Sequence, residues 1–278
     1  SMAESKSLKR YLLKKVLYRI DFQLITEKMQ EEMFAFIGQE YGQYFADQYQ
    51  EMENAIGIEI NPNQVEHSRL NQKAQPVYVF SQQHTEGCDG RVLKIGKTFL
   101  FLQVELNIEP MQIPYYEWMA HIVNKWQENP MFRLSRIGLR KYNSFYILDE
   151  NKDKLAEMFN VDYLSQVDSS DFQLGSFEHM QTYSHEPYTM NFHRSYSTGN
   201  LSNPTYKIDN KIAHLVSFDF DLATDDLDEM ASFAKDAKKG LEIMNKWIYD
   251  FFVNTMKKEV IEKIADETLL ESYHIIPF

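Results

Sequence analysis

The sequence predicts an α+β fold with largely antiparallel sheets and helices packed on one face. Three observations lead to this prediction. Segments with strand-like alternation follow one another across short turns, as in an antiparallel meander. Segments with apolar residues at helical spacing lie between these groups of strands. The same mixture occurs twice along the chain, so we expect two related modules, residues 6–160 and 161–278, which can also form one continuous domain.

The first half begins with a predicted strand in VLYRIDFQ, where apolar and polar residues alternate. Thr26 is then the expected N-cap of a helix that ends at Gly42. Of the polar and aromatic residues 44–60, only the final AIGIEI is convincingly extended. Residues 61–76 are rich in proline and asparagine near their ends, which predicts a turn-rich connection.

Three further strands are predicted to form an antiparallel meander: VYVFSQ, RVLKIG and TFLFLQVEL. Its turns are expected at GCDG and at Gly96-Lys97. A helix, YYEWMAHIVNKWQE, begins after Pro114, and Asn129-Pro130 stops it. Residues 132–147 are the last predicted strand of this half.

The second half follows a short helix at residues 154–159 and a polar linker at residues 161–171, which is the predicted module boundary. A strand pair is expected around Glu186-Pro187, then a loop at GNLSNP and a strand in KIAHLVSFDFDL.

The chain is predicted to end in helices. Residues 227–254 have apolar residues at helical spacing, and Gly240 is expected to bend this long helix. A short helix at residues 257–265 precedes the apolar tail HIIPF. Because exposure of this tail would be unfavourable, we expect it to dock on its own domain or on a neighbouring chain.

The strand at residues 132–147, FRLSRIGLRKYNSFYI, is the best candidate for a binding site. Its period of two places Arg136, Gly138, Arg140 and Tyr142 on one face and a set of apolar residues on the other. Glycine in a strand is typical of a bulge or of a close approach by backbone or ligand, and flanking guanidiniums favour an anion. The predicted ligand or anion site comprises Arg136, Gly138, Arg140, Tyr142 and Asn143.

This segment resembles the hallmark of a sporadically distributed prokaryotic family of unknown function, Arg-x-Gly-Leu-Arg-Tyr-x-Asn. RIGLRKYN matches it at Arg136, Gly138, Leu139, Arg140 and Asn143, while Lys141 and Tyr142 depart from the family's spacing. HLVSFDFDL and the long helix after it are also similar to the family's C-terminal half. The resemblance implies a shared fold and no particular reaction, and the family's sporadic distribution suggests a defence or toxin-neutralising context.

Two carboxylates, Asp219 and Asp221, share one face of a predicted strand. Carboxylate oxygens are ligands that Mg²⁺ and Mn²⁺ prefer, so both residues are candidate metal ligands. The alternatives are a polar strand face or a carboxylate pair neutralised by arginine. We hypothesise that Asp219 or Asp221 pairs with Arg136 or Arg140 and joins the two halves.

Tyrosines and histidines are interleaved in the strands of the second half. Such amphipathic rings are typical of recognition surfaces. The alternative is a partly buried sheet face covered by the long helix. The histidines of this region match no zinc-binding spacing. The candidate recognition surface comprises Tyr183, Tyr188, His193, Arg194 and Tyr196.

Composition restricts the function classes. Basic residues number 29 against 41 acidic ones, and the formal charge of −12 disfavours binding to nucleic acid. With Cys88 as its one cysteine, the chain cannot form an intramolecular disulfide, so we expect a reducing, cytoplasmic location. No apolar run approaches the roughly 20 residues of a membrane span, so we expect no membrane association.

These observations predict an intracellular, non-enzymatic binding or regulatory protein, with a protein partner or a second copy of itself and without a cofactor. The alternative is a metal-dependent hydrolase or transferase that acts on a phosphorylated small molecule or nucleotide. In that alternative, Asp219 and Asp221 would bind Mg²⁺ or Mn²⁺ and Arg136 and Arg140 would hold phosphate.

Overall fold

The computed structural model describes residues 11–59, 69–108 and 113–277. These form one antiparallel sheet with helices on one face, which confirms the predicted α+β class. The strands are β1 Leu13–Phe22, β2 Asp47–Glu59, β3 Arg69–Gln82, β4 Gly90–Ile95, β5 Phe99–Glu105, β6 Leu134–Leu148, β7 Ser176–His185, β8 Tyr188–Asn203, β9 Ile208–Thr224 and β10 Ile275–Ile276. The α-helices are α1 Glu27–Tyr41, α2 Tyr115–Gln127, α3 Leu227–Lys235, α4 Ala237–Thr255, α5 Lys258–Ala265 and α6 Leu269–Tyr273.

The order of the strands is β2-β3-β4-β5-β1-β6-β9-β8-β7, so one sheet runs through both halves of the chain. In the first half β1 pairs with both β5 and β6. The two halves meet where β6 of the first half pairs with β9 of the second. A common origin of the two halves, and a division near residue 160, stay predictions.

The core lies between the sheet and the helices. In β1 the buried residues alternate with partly exposed ones, which places the apolar set on one side of the sheet. The described α-helices all bury residues in the same cluster. We call the side that they cover the helix face and the opposite side the open face. No described helix lies on the open face, and no described helix is long and apolar enough to cross a membrane.

The caps of α1 were predicted correctly. Thr26 accepts a hydrogen bond from the backbone N–H of Met29, and Gly42 is the C-cap residue. The short predicted helix near residue 154 is a 3₁₀ helix, Asp149–Glu157.

Two segments that were expected to be loops are strands. The predicted turn-rich connection is extended from Arg69 onward, since β3 pairs with β2 along the length of both strands. Residues 60–68 lie outside the described residues. GNLSNP also continues β8 to Asn203, because the beginning of β9 supplies partners for its backbone. Pairing with a neighbouring strand therefore overrides local turn composition in both hairpins.

The predicted long helix is interrupted, but not at Gly240. It divides into α3 and α4 at Asp236, whose backbone is not helical and whose side chain accepts a hydrogen bond from the backbone N–H of Lys239. Gly240 instead leaves space for the ring of Phe233, which a Cβ atom at this position would overlap.

The C-terminal tail docks on its own chain. Ile275 and Ile276 pair with Ile147 and Tyr146 of β6, beyond the beginning of β1. Both tail residues are buried, as the apolar composition of the tail predicted.

Candidate functional site

The centre of the open face carries charges of both signs from three adjacent strands. In β6, Arg136 lies opposite Asp21 of β1, and Arg140 lies opposite Asp221 of β9. Tyr142 on the same face lies opposite Asp219. We name this group the arginine–aspartate cluster. It comprises Arg19, Asp21, Arg136, Arg140, Asp219 and Asp221.

Arg140 and Asp219 form the central ion pair of this cluster. The Nε–H of Arg140 donates to Oδ2 of Asp219 over 2.9 Å, and an Nη2–H donates to the same oxygen. The Asp219 side chain is 2% exposed, whereas that of Arg140 is 44% exposed. The pair confirms the hypothesis that an arginine of the first half and an aspartate of the second half join the two.

The space beside Gly138 is covered by Arg136. A Cβ atom on Gly138 would lie 3.2 Å from Nη1 of Arg136. The same Nη1 lies 3.7 Å from Oδ2 of Asp21, and Oδ1 of Asp21 accepts a hydrogen bond of 3.0 Å from Nε of Arg19. There is no bulge at Gly138, because both neighbouring strands pair with it in register. Gly138 therefore leaves room for the guanidinium of Arg136 to lie close to the strand.

Asp221 differs from the other carboxylates of the cluster. It forms no hydrogen bond or ion pair with a side chain of residues 11–59, 69–108 or 113–277. Burial raises its pKa, the guanidiniums of Arg140 and Arg136 lower it in part, and the nearby carboxylate of Asp219 raises it further. Desolvation thus favours the neutral form of the Asp221 carboxyl group.

Two of the predicted ligand residues have other roles. The hydroxyl of Tyr142 donates to Oγ of Ser217 over 2.8 Å, which fixes the ring against β9. Asn143 lies on the helix face, where it is buried and its amide donates to the carbonyl oxygen of Phe218. The inclusion of Asn143 in the anion site was therefore wrong, since odd and even positions of one strand face opposite sides.

The two aspartates do not form the predicted metal site. Oδ2 of Asp219 already accepts both hydrogen bonds from Arg140. In the described part of the chain, no three His, Cys, Asp or Glu side chains converge as a set of metal ligands. For Asp219 the arrangement matches the alternative in which arginine neutralises a carboxylate, whereas Asp221 has no arginine within ion-pair distance among the described residues.

The predicted recognition surface is divided between the two faces. Arg194 and Tyr196 are buried on the helix face, so neither offers an exposed side chain to the surface of a partner protein. Tyr188 stacks on Trp247 of α4, and Tyr183 packs edge-on against another α4 residue. His193 lies on the open face, opposite Asp219. Burial contradicts the recognition surface at Arg194 and Tyr196. At Tyr183 and Tyr188 the contacts with α4 fit the alternative, a sheet face covered by the long helix, and for His193 the surface stays a prediction.

Sequence reasoning did not include Arg19 and Asp21 in the site. Both lie on the polar side of the first strand, and the alternation of VLYRIDFQ already placed them on one face. What could not be foreseen was that β1 would pair with β6 in a register that sets Asp21 beside Arg136.

Comparisons with protein-family models, with curated proteins and with solved structures find no match to this chain. The resemblance at RIGLRKYN therefore stays a prediction, and the function is argued from geometry alone.

Proposed function

We propose that this protein is a non-enzymatic binding protein that binds a partner protein through the arginine–aspartate cluster on the open face. The observation that carries the proposal is that Arg19, Arg136 and Arg140 each expose 43–48% of their side chains while carboxylates hold them in place.

Pre-organised arginines support binding because little side-chain entropy remains to be lost when a partner docks. Arg140 is fixed by Asp219, and Arg136 lies along Gly138. Each guanidinium keeps exposed N–H groups with which it can bind a carboxylate of a partner. Arginine is also among the residues enriched at the energetic centres of protein interfaces.

The surroundings of the cluster support a protein partner rather than a polyanion. Three arginines face three aspartates, so the cluster carries no excess positive charge for a phosphate backbone. Arg19 also lies over the ring of Phe99, with 4.7 Å between the guanidinium carbon and the ring centre. Phe99 belongs to a small apolar group on the same face. Its members are Val77, Val79, Val92, Phe99 and Phe101. Val77, Val79 and Phe99 are buried, so the apolar area that this group offers to a partner is confined to the partly buried Val92 and Phe101.

We further propose a cytoplasmic, regulatory role, as the composition with one cysteine favours. The partner class that we propose is a protein surface with exposed carboxylates. A second copy of the chain meets this description, since the cluster contains both signs of charge.

The proposal can be tested by photo-crosslinking in cells that express the full chain. A photoreactive residue replaces Gln103 on the open face or, as a control, Ile243 on α4, which is 40% exposed. We expect a crosslinked species from position 103. The double variant Arg19→Glu/Arg136→Glu should lose this species. The control Arg133→Glu, which reverses the charge of an exposed arginine outside the cluster, should keep it. Light scattering identifies whether the species is a dimer of the chain. Equal crosslinking from both positions, or no effect of the double reversal, would contradict the proposal.

A further inference from the structure

A cavity of about 590 Å³ lies away from the arginine–aspartate cluster, between residues 164–174 and the strands β7 and β8. Its volume is in the range of sites that hold small molecules. Most of the lining is apolar and comes from Leu164, Val167, Phe172, Leu174 and Phe177.

Arg194 lines this cavity although it is only 4% exposed. Its Nη1 donates to the carbonyl oxygens of Asp162 and Tyr163 over 2.8 and 3.0 Å, and Nη2 lies 3.2 Å from Nδ1 of His179. Its Nε is buried without a hydrogen-bond partner. No carboxylate of the described residues lies within ion-pair distance of this guanidinium. Among the described residues, the buried guanidinium of Arg194 therefore has only neutral hydrogen-bond acceptors as polar partners.

A second buried arginine shows the usual arrangement. Nε of Arg91 donates to the hydroxyl of Tyr115 over 2.8 Å, and that hydroxyl donates to the buried carboxylate of Asp89 over 2.8 Å. The charge of Arg91 is thus balanced by a buried anion through one intervening group. Arg194 has no such anion in the part of the chain that the structure describes, and buried charges are strongly favoured when they are paired.

We propose that the cavity binds a small monocarboxylate with an apolar body. The carboxylate would pair with the guanidinium of Arg194. The apolar body would cover Val167 and Phe172, which are 88% and 84% exposed. Glu178 also lines the cavity and disfavours ligands with more than one negative charge, such as phosphate esters.

The test is isothermal titration of the full chain with straight-chain carboxylates from butanoate to decanoate and with 3-phenylpropanoate. The neutral amides of the same acids serve as matched probes. We expect at least one carboxylate to bind, and its amide to bind at least about tenfold more weakly, because only the acid can pair with Arg194. This contrast uses the unaltered protein and does not depend on a variant that folds.

Variants then locate the site. Phe172→Ser is expected to weaken carboxylate binding several-fold without a change in Tm, because the ring is mostly exposed. Leu227→Ser, at an equally exposed residue of α3, is the control and should bind as the unaltered chain does. Binding of acid and amide with equal affinity, binding by no carboxylate of the series, or equal affinities of the two variants would each overturn the proposal.

Discussion

Asp219 of β9 is buried beside the half-exposed guanidinium of Arg140 of β6, and their ion pair links the two halves of the chain. The asymmetry of exposure matters for stability. Removal of the arginine leaves a buried carboxylate without its partner, whereas removal of the carboxylate leaves a cation that water can still solvate.

We expect Arg140→Met to lower the free energy of unfolding by about 2–3 kcal/mol, because Asp219 loses its partner in a buried position. Asp219→Asn should lower it less, and the double variant should lie closer to the unaltered chain than Arg140→Met does. Urea unfolding measures all three values. Arg133→Met, at an exposed arginine that bonds only to backbone carbonyls among described residues, is the control. Equal losses for Arg140→Met and Arg133→Met would contradict the expectation.

The ion pair between Arg140 and Asp219 could be predicted because the alternation of residues within each strand shows which of them share a face. Alternation alone placed Arg136 and Arg140 on one face of β6, and Asp219 and Asp221 on one face of β9. Pairing of the two strands then brought Arg140 and Asp221 opposite each other. Asn143 was included in the predicted site because it matches the hallmark that RIGLRKYN resembles, although its odd number placed it on the other face.

The glycines differ in what surrounds them, so the same substitution should have different effects. We expect Gly240→Ala to lower the free energy of unfolding by about 1–3 kcal/mol, because the new methyl group overlaps the buried ring of Phe233. Helix propensity alone would predict a gain of about 1 kcal/mol. Gly138→Ala should change stability by less than about 1 kcal/mol, since the exposed end of Arg136 can move away. Thermal or urea unfolding checks both, and a stabilised Gly240→Ala would show that Phe233 does not occupy this space.

Other features could not be predicted because they depend on which side of the sheet the helices cover. Arg194 and Tyr196 lie on mixed strand faces, and alternation does not say which face is buried. Composition was also misleading at GNLSNP, whose glycine, asparagines and proline are typical of a loop. There the partner strand β9 decides the conformation.

The tail should contribute to stability of the whole sheet. Ile275→Ala is expected to lower the free energy of unfolding by about 2–4 kcal/mol, because Ile275 is buried against the core and pairs with β6. Ile212→Ala removes the same atoms from a residue that is 55% exposed and should change it by less than about 0.5 kcal/mol. Urea unfolding of the two variants gives the comparison. Similar losses would mean that the tail is not docked in solution.

The lowered pKa of Lys14 predicts that the protein becomes more stable in alkaline solution. Burial lowers the pKa of its ammonium group to about 8 from the ordinary value of 10.5. Above pH 8 the folded chain releases this proton while the unfolded chain keeps it, so the free energy of unfolding increases with pH up to about pH 10. From pH 8 to pH 10.5 the whole increase amounts to about 3 kcal/mol. Unfolding measured from pH 7 to 10 should show this increase, and Lys14→Met should abolish it. An increase that persists in Lys14→Met, or that disappears equally in Lys15→Met, would assign it to another group.

For Asp221 we expect the opposite dependence at acidic pH, a contribution to the free energy of unfolding that decreases as the pH rises. Because burial raises its pKa above the ordinary 3.8, the folded chain binds a proton there more tightly than the unfolded chain does. Stability contributed by this group is therefore present below pH 3.8 and is lost as pH rises through the raised pKa. Asp221→Asn removes the unfavourable charge, so we expect the variant to be more stable than the unaltered chain at pH 7 and nearly equal to it at about pH 4. Asp219→Asn should be less stable than the unaltered chain at pH 7, because it breaks the pair with Arg140. Urea unfolding of both variants at the two pH values measures these differences. A loss of stability in Asp221→Asn at pH 7 would contradict the prediction, because it would mean that the arginines stabilise this carboxylate more than burial destabilises it.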